Sequence, residues 1–192
     1  LSKTYCPLPW QHLATHPHGG VTLCCISDHT GGLNRARNND KEFLSLNKSS
    51  INEHLNSEYY KEVRLQMLNN EKPKACLRCY EEEEKGLKSK RNHETSVFPQ
   101  NSADWARELT GEDGSIPMDL RFVELRLGNV CNVRCRTCNP ASSSKWLADY
   151  KDIVEKADFV NKGYLGLDYP KDFKWPEDDT FYDDLYDSAP NL

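Results

Sequence analysis

Three cysteines, Cys131, Cys135 and Cys138, fall at C-x3-C-x2-C spacing on one short stretch. Three thiolates that close together can hold three corners of a cubane iron–sulfur cluster and leave the fourth iron without a protein ligand. An open metal position is what separates catalytic from structural metal sites. The intervening Asn132, Val133, Arg134, Arg136 and Thr137 can turn backbone N–H groups toward inorganic sulfides, the kind of hydrogen bond that tunes a cluster's reduction potential. The bacterial ferredoxin run, C-x2-C-x2-C-x3-C-P, does not match this spacing. A structural zinc would call for a fourth ligand nearby, and none follows Cys138.

A second set lies upstream: Cys6, the adjacent pair Cys24-Cys25, and Cys76-x2-Cys79. Cys6, one of the pair, Cys76 and Cys79 make a closed four-thiolate site, which by spacing alone reads as a zinc ribbon as readily as an iron–sulfur site. His12, His16, His18 and His29 are close enough in sequence to complete a zinc site, but four available cysteines make them unnecessary. Among the eight cysteines, the tight groups Cys76/Cys79 and Cys131/Cys135/Cys138 favour metal ligation over a disulfide framework.

These thiols need elements to hold them. An alternating apolar run, Leu120 to Leu127, reads as a strand that empties into the Cys131 loop. Beyond the loop, Ser142 or Ser143 can cap a helix to about Lys156, its buried face made by Trp146, Tyr150 and Ile153 or Val154. Strand, loop and helix in that order make one βα unit. In the N-terminal half, Trp10–Thr15 and Val21–Ile26 read as a hairpin around Gly19-Gly20, with Cys6 before it and Cys24-Cys25 within the return strand, facing opposite ways. Residues 28–40 read as a loop.

Tyr60, Val63, Met67 and Leu68 recur at helical spacing over Glu58–Leu68, with Ser49, Ser50 or Ser57 as N-caps. Asn69-Asn70 and Pro73 end that helix and deliver Cys76. Glu81–Lys90 reads as an exposed helix, and Lys85, Lys88, Lys90 and Arg91 as its solvated face. A linker over 92–118 holds one short helix near Ala103–Leu109, and another helix falls within Pro176–Asp187. The expected fold is an α+β cluster-binding module over 1–91, hairpin plus helices, followed over 119–192 by the start of an α/β fold.

The composition is polar, at 37% hydrophobic and 29% charged, so a large core is not expected. No apolar run approaches the ~20 residues of a membrane span, and no signal peptide opens the chain, which reads as soluble and cytoplasmic. Residues 139–192 hold six lysines against twelve acids, a balance that does not favour nucleic acid. Asp178, Asp179, Asp183 and Asp184 match no calcium loop and read as an acidic helix face.

Two patterns together resemble a known family. Cys6-Pro7-x-Pro9-Trp10, Gly20-Val21-x-x-Cys24-Cys25 and Cys76-x-x-Cys79 look like the twitch or SPASM module, and the strand-borne Cys131/Cys135/Cys138 loop looks like the core motif of radical S-adenosylmethionine enzymes. The likeness covers residues 5–80 and 120–157. It implies an auxiliary [4Fe–4S] cluster on Cys6, Cys24, Cys76 and Cys79, with Cys25 spare. It also implies a catalytic [4Fe–4S] cluster on Cys131, Cys135 and Cys138, flanked by the cofactor-binding positions Asn132, Thr137 and Asn139. The open iron would chelate S-adenosylmethionine, and one electron from a donor such as flavodoxin or ferredoxin would cleave it to a 5′-deoxyadenosyl radical that abstracts hydrogen from a substrate, a peptide in related enzymes. Two departures stand out. Thr137 replaces an often aromatic residue set against the adenine, and no Gly-Gly-Glu motif follows; Gly31-Gly32-Leu33 lies in the wrong place. The implied core is a partial (β/α)6 barrel of which only the first unit precedes Leu192, so the expectation is an inactive fragment of a longer enzyme.

Overall fold

The computed structural model describes residues 3–28, 30–98, 102–156 and 173–191; His29 and the stretch around Gly163 lie outside them. Among these residues the fold is α+β. Eight helices surround one three-stranded sheet in the order β2-β1-β3, made of β1 (His12–Thr15), β2 (Val21–Thr22) and β3 (Phe122–Glu124).

The opening departs from the expected hairpin. Pro7 and Pro9 carry backbone angles pre-set for a helical turn, Trp10 N–H donates to Pro7 O at 3.1 Å, and Leu8–Gln11 forms the short helix α1. Only at His12 does the chain become extended. Antiparallel pairing then sets Ala14 against Thr22 and Thr15 against Val21. The return strand is two residues long because Leu23 turns its N–H to Asn34 O, at 3.2 Å. Cys24 and Cys25 therefore lie past the strand, in a turn, and the expected alternation does not govern them. Residues 34–36 run along β2 instead: Ala36 N–H donates to Val21 O at 3.0 Å, and Arg35 bridges to Thr22.

β3 is shorter than the apolar run that announced it. It pairs with β1 in parallel, His12 opposite Phe122 and Ala14 opposite Glu124. β1 is thus the central strand, which explains why all four of its residues are buried. The loop after β3 turns at Gly128, whose φ of +72° places a would-be Cβ 2.4 Å from Phe173 O, so only glycine fits that approach.

The helices follow their caps. Ser50 starts α2 (Ile51–Leu55) with a full capping box to Glu53, and Asp184 accepts from Ile51 N–H, adding a carboxylate at the helix's positive end. Ser57 precedes α3 (Glu58–Leu68), which buries Tyr60, Val63 and Met67 as its periodicity predicts. α4 (Leu77–Glu84) begins four residues before the expected charged helix and stops at Lys85; Gly86, at φ +73°, breaks the run before α5 (Lys90–Val97). α6 (Ala103–Leu109), α7 (Leu147–Lys156) and α8 (Asp179–Ser188) complete the set. In α7, Leu147 and Val154 are the buried residues, and Ile153 is exposed. Asp178 caps α8 by accepting from Thr180 N–H at 3.0 Å, which gives part of the acidic group a structural role.

One hydrophobic cluster runs through Leu13, Val21, Tyr60, Met67, Leu120, Trp175 and Phe181. Full burial of such a side chain contributes about 1.5–3 kcal/mol. No helix among the described residues is long and apolar enough to cross a membrane.

Candidate iron–sulfur sites

Four cysteines from three segments line one small cavity: Cys6 before α1, Cys24 after β2, and Cys76 and Cys79 at the start of α4. Leu8, Ile26, Met67 and Ala75 fill the gaps between them. Long-range bonds fix the segments. Tyr80 donates its hydroxyl to Thr4 O at 2.8 Å, Thr4 donates to Met67 O at 2.9 Å, and Asp28 N–H reaches Ala75 O at 2.8 Å.

The chain already aims polar groups at these sulfurs. Leu8 N–H points at the Cys6 sulfur, and the N–H groups of Ile26 and Ser27 point at Cys24. Cys76 is the N-cap of α4, where the helix's partial positive charge favours a thiolate. Burial nevertheless pushes the Cys6, Cys24 and Cys76 thiols up, and for Cys6 and Cys76 the neighbouring cysteine sulfurs add to it. Such a set is protonated at neutral pH until a metal displaces the protons and relieves the repulsion, as expected of thiols gathered for ligation. Cys25 is exposed and turned away from this cavity.

Two residues that the sequence reading assigned to a solvated helix face belong here. Lys90 and Arg91 are half-buried and line the same cavity. Arg91 donates to Tyr5 O at 2.9 Å, forks onto the Glu83 carboxylate and stacks over Tyr80 at 5.1 Å. Lys90 pairs with Glu94 at 2.8 Å. Fixed cations beside several thiolates offset their mutual repulsion. The only signal for them was the basic run itself, since nothing in its spacing distinguishes a site-facing from a solvent-facing lysine.

Among the described residues no histidine lines this cavity. His12 is buried, stacks on Phe122 at 4.5 Å, and contacts Leu23 O through Nδ1 at 3.3 Å. His16 and His18 stack on each other at 5.4 Å beside a different cavity. Trp10 is core, its indole N–H bonded to Thr110 Oγ1 at 2.8 Å.

The second cysteine loop is held from behind. Asn129, 1% exposed, accepts from Phe173 N–H at 2.9 Å and, through its carbonyl, from Ser144 N–H at 2.8 Å. Ser143 donates to Val133 O at 3.1 Å. Trp146 and Tyr150, expected as core residues, instead clasp the loop: the indole N–H reaches Cys135 O at 3.1 Å and the phenol reaches Cys138 O at 3.5 Å. Arg134 pairs with Asp149 and stacks over Trp146. Cys131 and Cys138 are half-buried and Cys135 is exposed, as are Asn132, Thr137 and Asn139. Among the described residues no three His, Cys, Asp or Glu side chains converge on one point tightly enough for a single metal ion.

Comparison with known families bears on the first of these sites. Residues 6–80 match the SPASM iron–sulfur cluster-binding domain. That span holds all four cysteines around the small cavity. Their chemistry fits such a cluster: four thiols with no histidine or carboxylate among the described lining residues, backed by N–H groups and flanked by cations. Arg91 lies just beyond the matched residues yet closes the same SPASM site. No curated protein and no solved structure matches the chain.

Proposed function

We propose that the chain is the cluster-bearing part of a radical S-adenosylmethionine enzyme, with the SPASM site as auxiliary centre and the Cys131 loop as catalytic centre. The observation that carries this reading is the parallel pairing of β1 with β3. It sets the strand leading into the Cys131 loop directly beside the strand that follows Cys6. A [4Fe–4S] cluster on Cys131, Cys135 and Cys138 would supply an open iron for the amino and carboxylate groups of S-adenosylmethionine and the electron that cleaves it.

The chain's own part is positioning. Asn129 fixes the entry to the loop, Ser143 holds the Val133 carbonyl, and Trp146 and Tyr150 hold the carbonyls of Cys135 and Cys138. At the auxiliary site the Leu8 N–H and Arg91 stabilise negative charge on Cys6, and the N–H groups of Ile26 and Ser27 do so on Cys24.

Anaerobic reconstitution followed by iron and sulfide counting tests this. About eight irons per chain, with S-adenosylmethionine altering the electron paramagnetic resonance spectrum of one cluster, is expected. About four irons and no response to S-adenosylmethionine would reduce the protein to a SPASM-type binding module; zinc alone would refute both.

A further inference from the structure

The matched SPASM span ends at residue 80, yet two cations from α5, Lys90 and Arg91, complete the wall of its cysteine cavity. They divide the thiols between them. Arg91 is within electrostatic reach of Cys6 and Cys76, and Lys90 of Cys25 and Cys24. Arg91 also holds the fold, through Tyr5 O at 2.9 Å and its fork onto Glu83. Lys90 has no comparable task. Its contacts are the Glu94 carboxylate at 2.8 Å and the Phe122 ring at 5.8 Å. Cys24 is shared with a larger cavity of about 510 Å³ that reaches Asn139 to Ser142, beyond Cys138. Lys90 is not among the described residues lining that second cavity, so its charge bears on the SPASM site.

Local helix energetics do not account for the Lys90–Glu94 pair. Lys90 opens α5, where the helix's partial positive charge disfavours a cation. At four-residue spacing the favoured order is an acid followed by a base, and here it is reversed. Nor is this a surface pair, because Glu94 is only 5% exposed and a carboxylate at that depth needs a partner. The two members are placed differently: Lys90 lines the SPASM cavity, and Glu94 is not among the described residues that do. The buried carboxylate thus holds against the cysteines an ammonium that an unpaired lysine would carry out to water.

We propose that Lys90, held at the cavity wall by Glu94, raises the reduction potential of the iron–sulfur cluster of the SPASM site. This rests on the four cysteines holding that cluster, and not on the Cys131 loop. One-electron reduction, by dithionite or by a donor of the ferredoxin class, adds one negative charge at the site. A fixed cation on the cavity wall favours that state, and net charge and exposure are among the factors that set such potentials. Lys90 acts through the cluster and touches no substrate in this role.

Redox titration followed by electron paramagnetic resonance tests it. In the 192-residue chain, Cys131→Ser, Cys135→Ser and Cys138→Ser together leave the auxiliary site as the source of the signal. Against that parent, Lys90→Met should shift the reduction equilibrium about tenfold toward the oxidised form, ~59 mV for a one-electron couple. Lys90→Arg should keep the parent's potential. Glu94→Gln should raise it, because the opposing charge is removed while a carbonyl remains for the ammonium. A merely structural role for the pair predicts no such opposition of sign. Should Lys90→Met fail to fold with its carboxylate unpaired, the direction of the shift in Glu94→Gln decides. About four irons per chain with an unmoved potential in Lys90→Met overturns the proposal and leaves the SPASM cluster standing, and so does a lowered potential in Glu94→Gln. No iron at these thiols overturns both.

Discussion

Arg64 is the side chain whose loss should be felt most widely. It is fully buried and donates to four acceptors: Pro9 O at 2.9 Å, Gly114 O at 2.8 Å, Asn56 Oδ1 at 3.3 Å and Leu55 O. Burial lowers its pKa to about 10, so it is charged at neutral pH. One guanidinium thus ties α1, the end of α2 and the 111–116 loop to α3. Replacing it with Met keeps most of the volume but leaves those acceptors without their donor. Bonds from a charged donor contribute about 1.5–3 kcal/mol each, and relief of the buried charge returns part of that sum, so the net loss is about 3–4 kcal/mol. In a protein of this size that corresponds to roughly 10 °C in melting temperature. Urea unfolding of the metal-free Arg64→Met protein measures it directly. Iron uptake should fall as well, because Pro9 lies three residues from Cys6. A loss below about 1 kcal/mol would refute the reasoning, since desolvation of the guanidinium would then cancel its bonds, as it does when some buried ion pairs are replaced by apolar side chains.

Two further perturbations probe the site and the core. Cys24→Ser should cost about four irons per chain and Cys25→Ser none; equal effects would mean that the exposed thiol rearranges to ligate. His12 and His54 are buried, and burial lowers the pKa of each to about 4 from 6.5. Their folded values lie below their unfolded ones, so the stability they confer is complete above pH 6.5 and is lost as pH falls toward 4. The loss is on the order of 3 kcal/mol for each, and a His12→Asn/His54→Gln protein whose stability falls as steeply over that window would show that other groups titrate.

What the sequence made legible was mostly local. The α3 stripe of Tyr60, Val63 and Met67, the Ser50 cap and the α6 helix all follow from patterns within one helix length, and the structure keeps them. The grouping of Cys6, one of Cys24 and Cys25, Cys76 and Cys79 was legible too, from the close spacing of the thiols, while the choice of Cys24 came only from the family resemblance. The errors arose where a distant segment competed with a local preference. Trp10 and Gln11 carry an alternating pattern, but two prolines set a helical turn first. Leu23 leaves its strand because Asn34 offers a better-placed carbonyl. Trp146 and Tyr150 sit on the apolar side of α7, yet what they meet is the cysteine loop, and their polar atoms reach its carbonyls.

The same limit hid the cavity. A thiol at Cys24, just past β2, and a loop ending at Ser142 are separated by more than a hundred residues, and nothing in either segment announces the other. Their meeting depends on Phe122–Glu124 choosing β1 as its parallel partner. That choice is decided by burial. β1 puts Leu13 and Thr15 on one face and His12 and Ala14 on the other, all four buried, so it needs cover on both faces, and β3 brings Phe122 to stack on His12. Register then does the rest: with Ala14 opposite Glu124, Thr15 comes one residue later and Arg126 two, and Arg126 N–H bonds Thr15 Oγ1 at 2.7 Å. Both residues line the cavity wall. The pocket between the two cysteine sets is therefore a consequence of one strand pairing, and a one-residue slip in it would turn Glu124 and Arg126 to other surroundings.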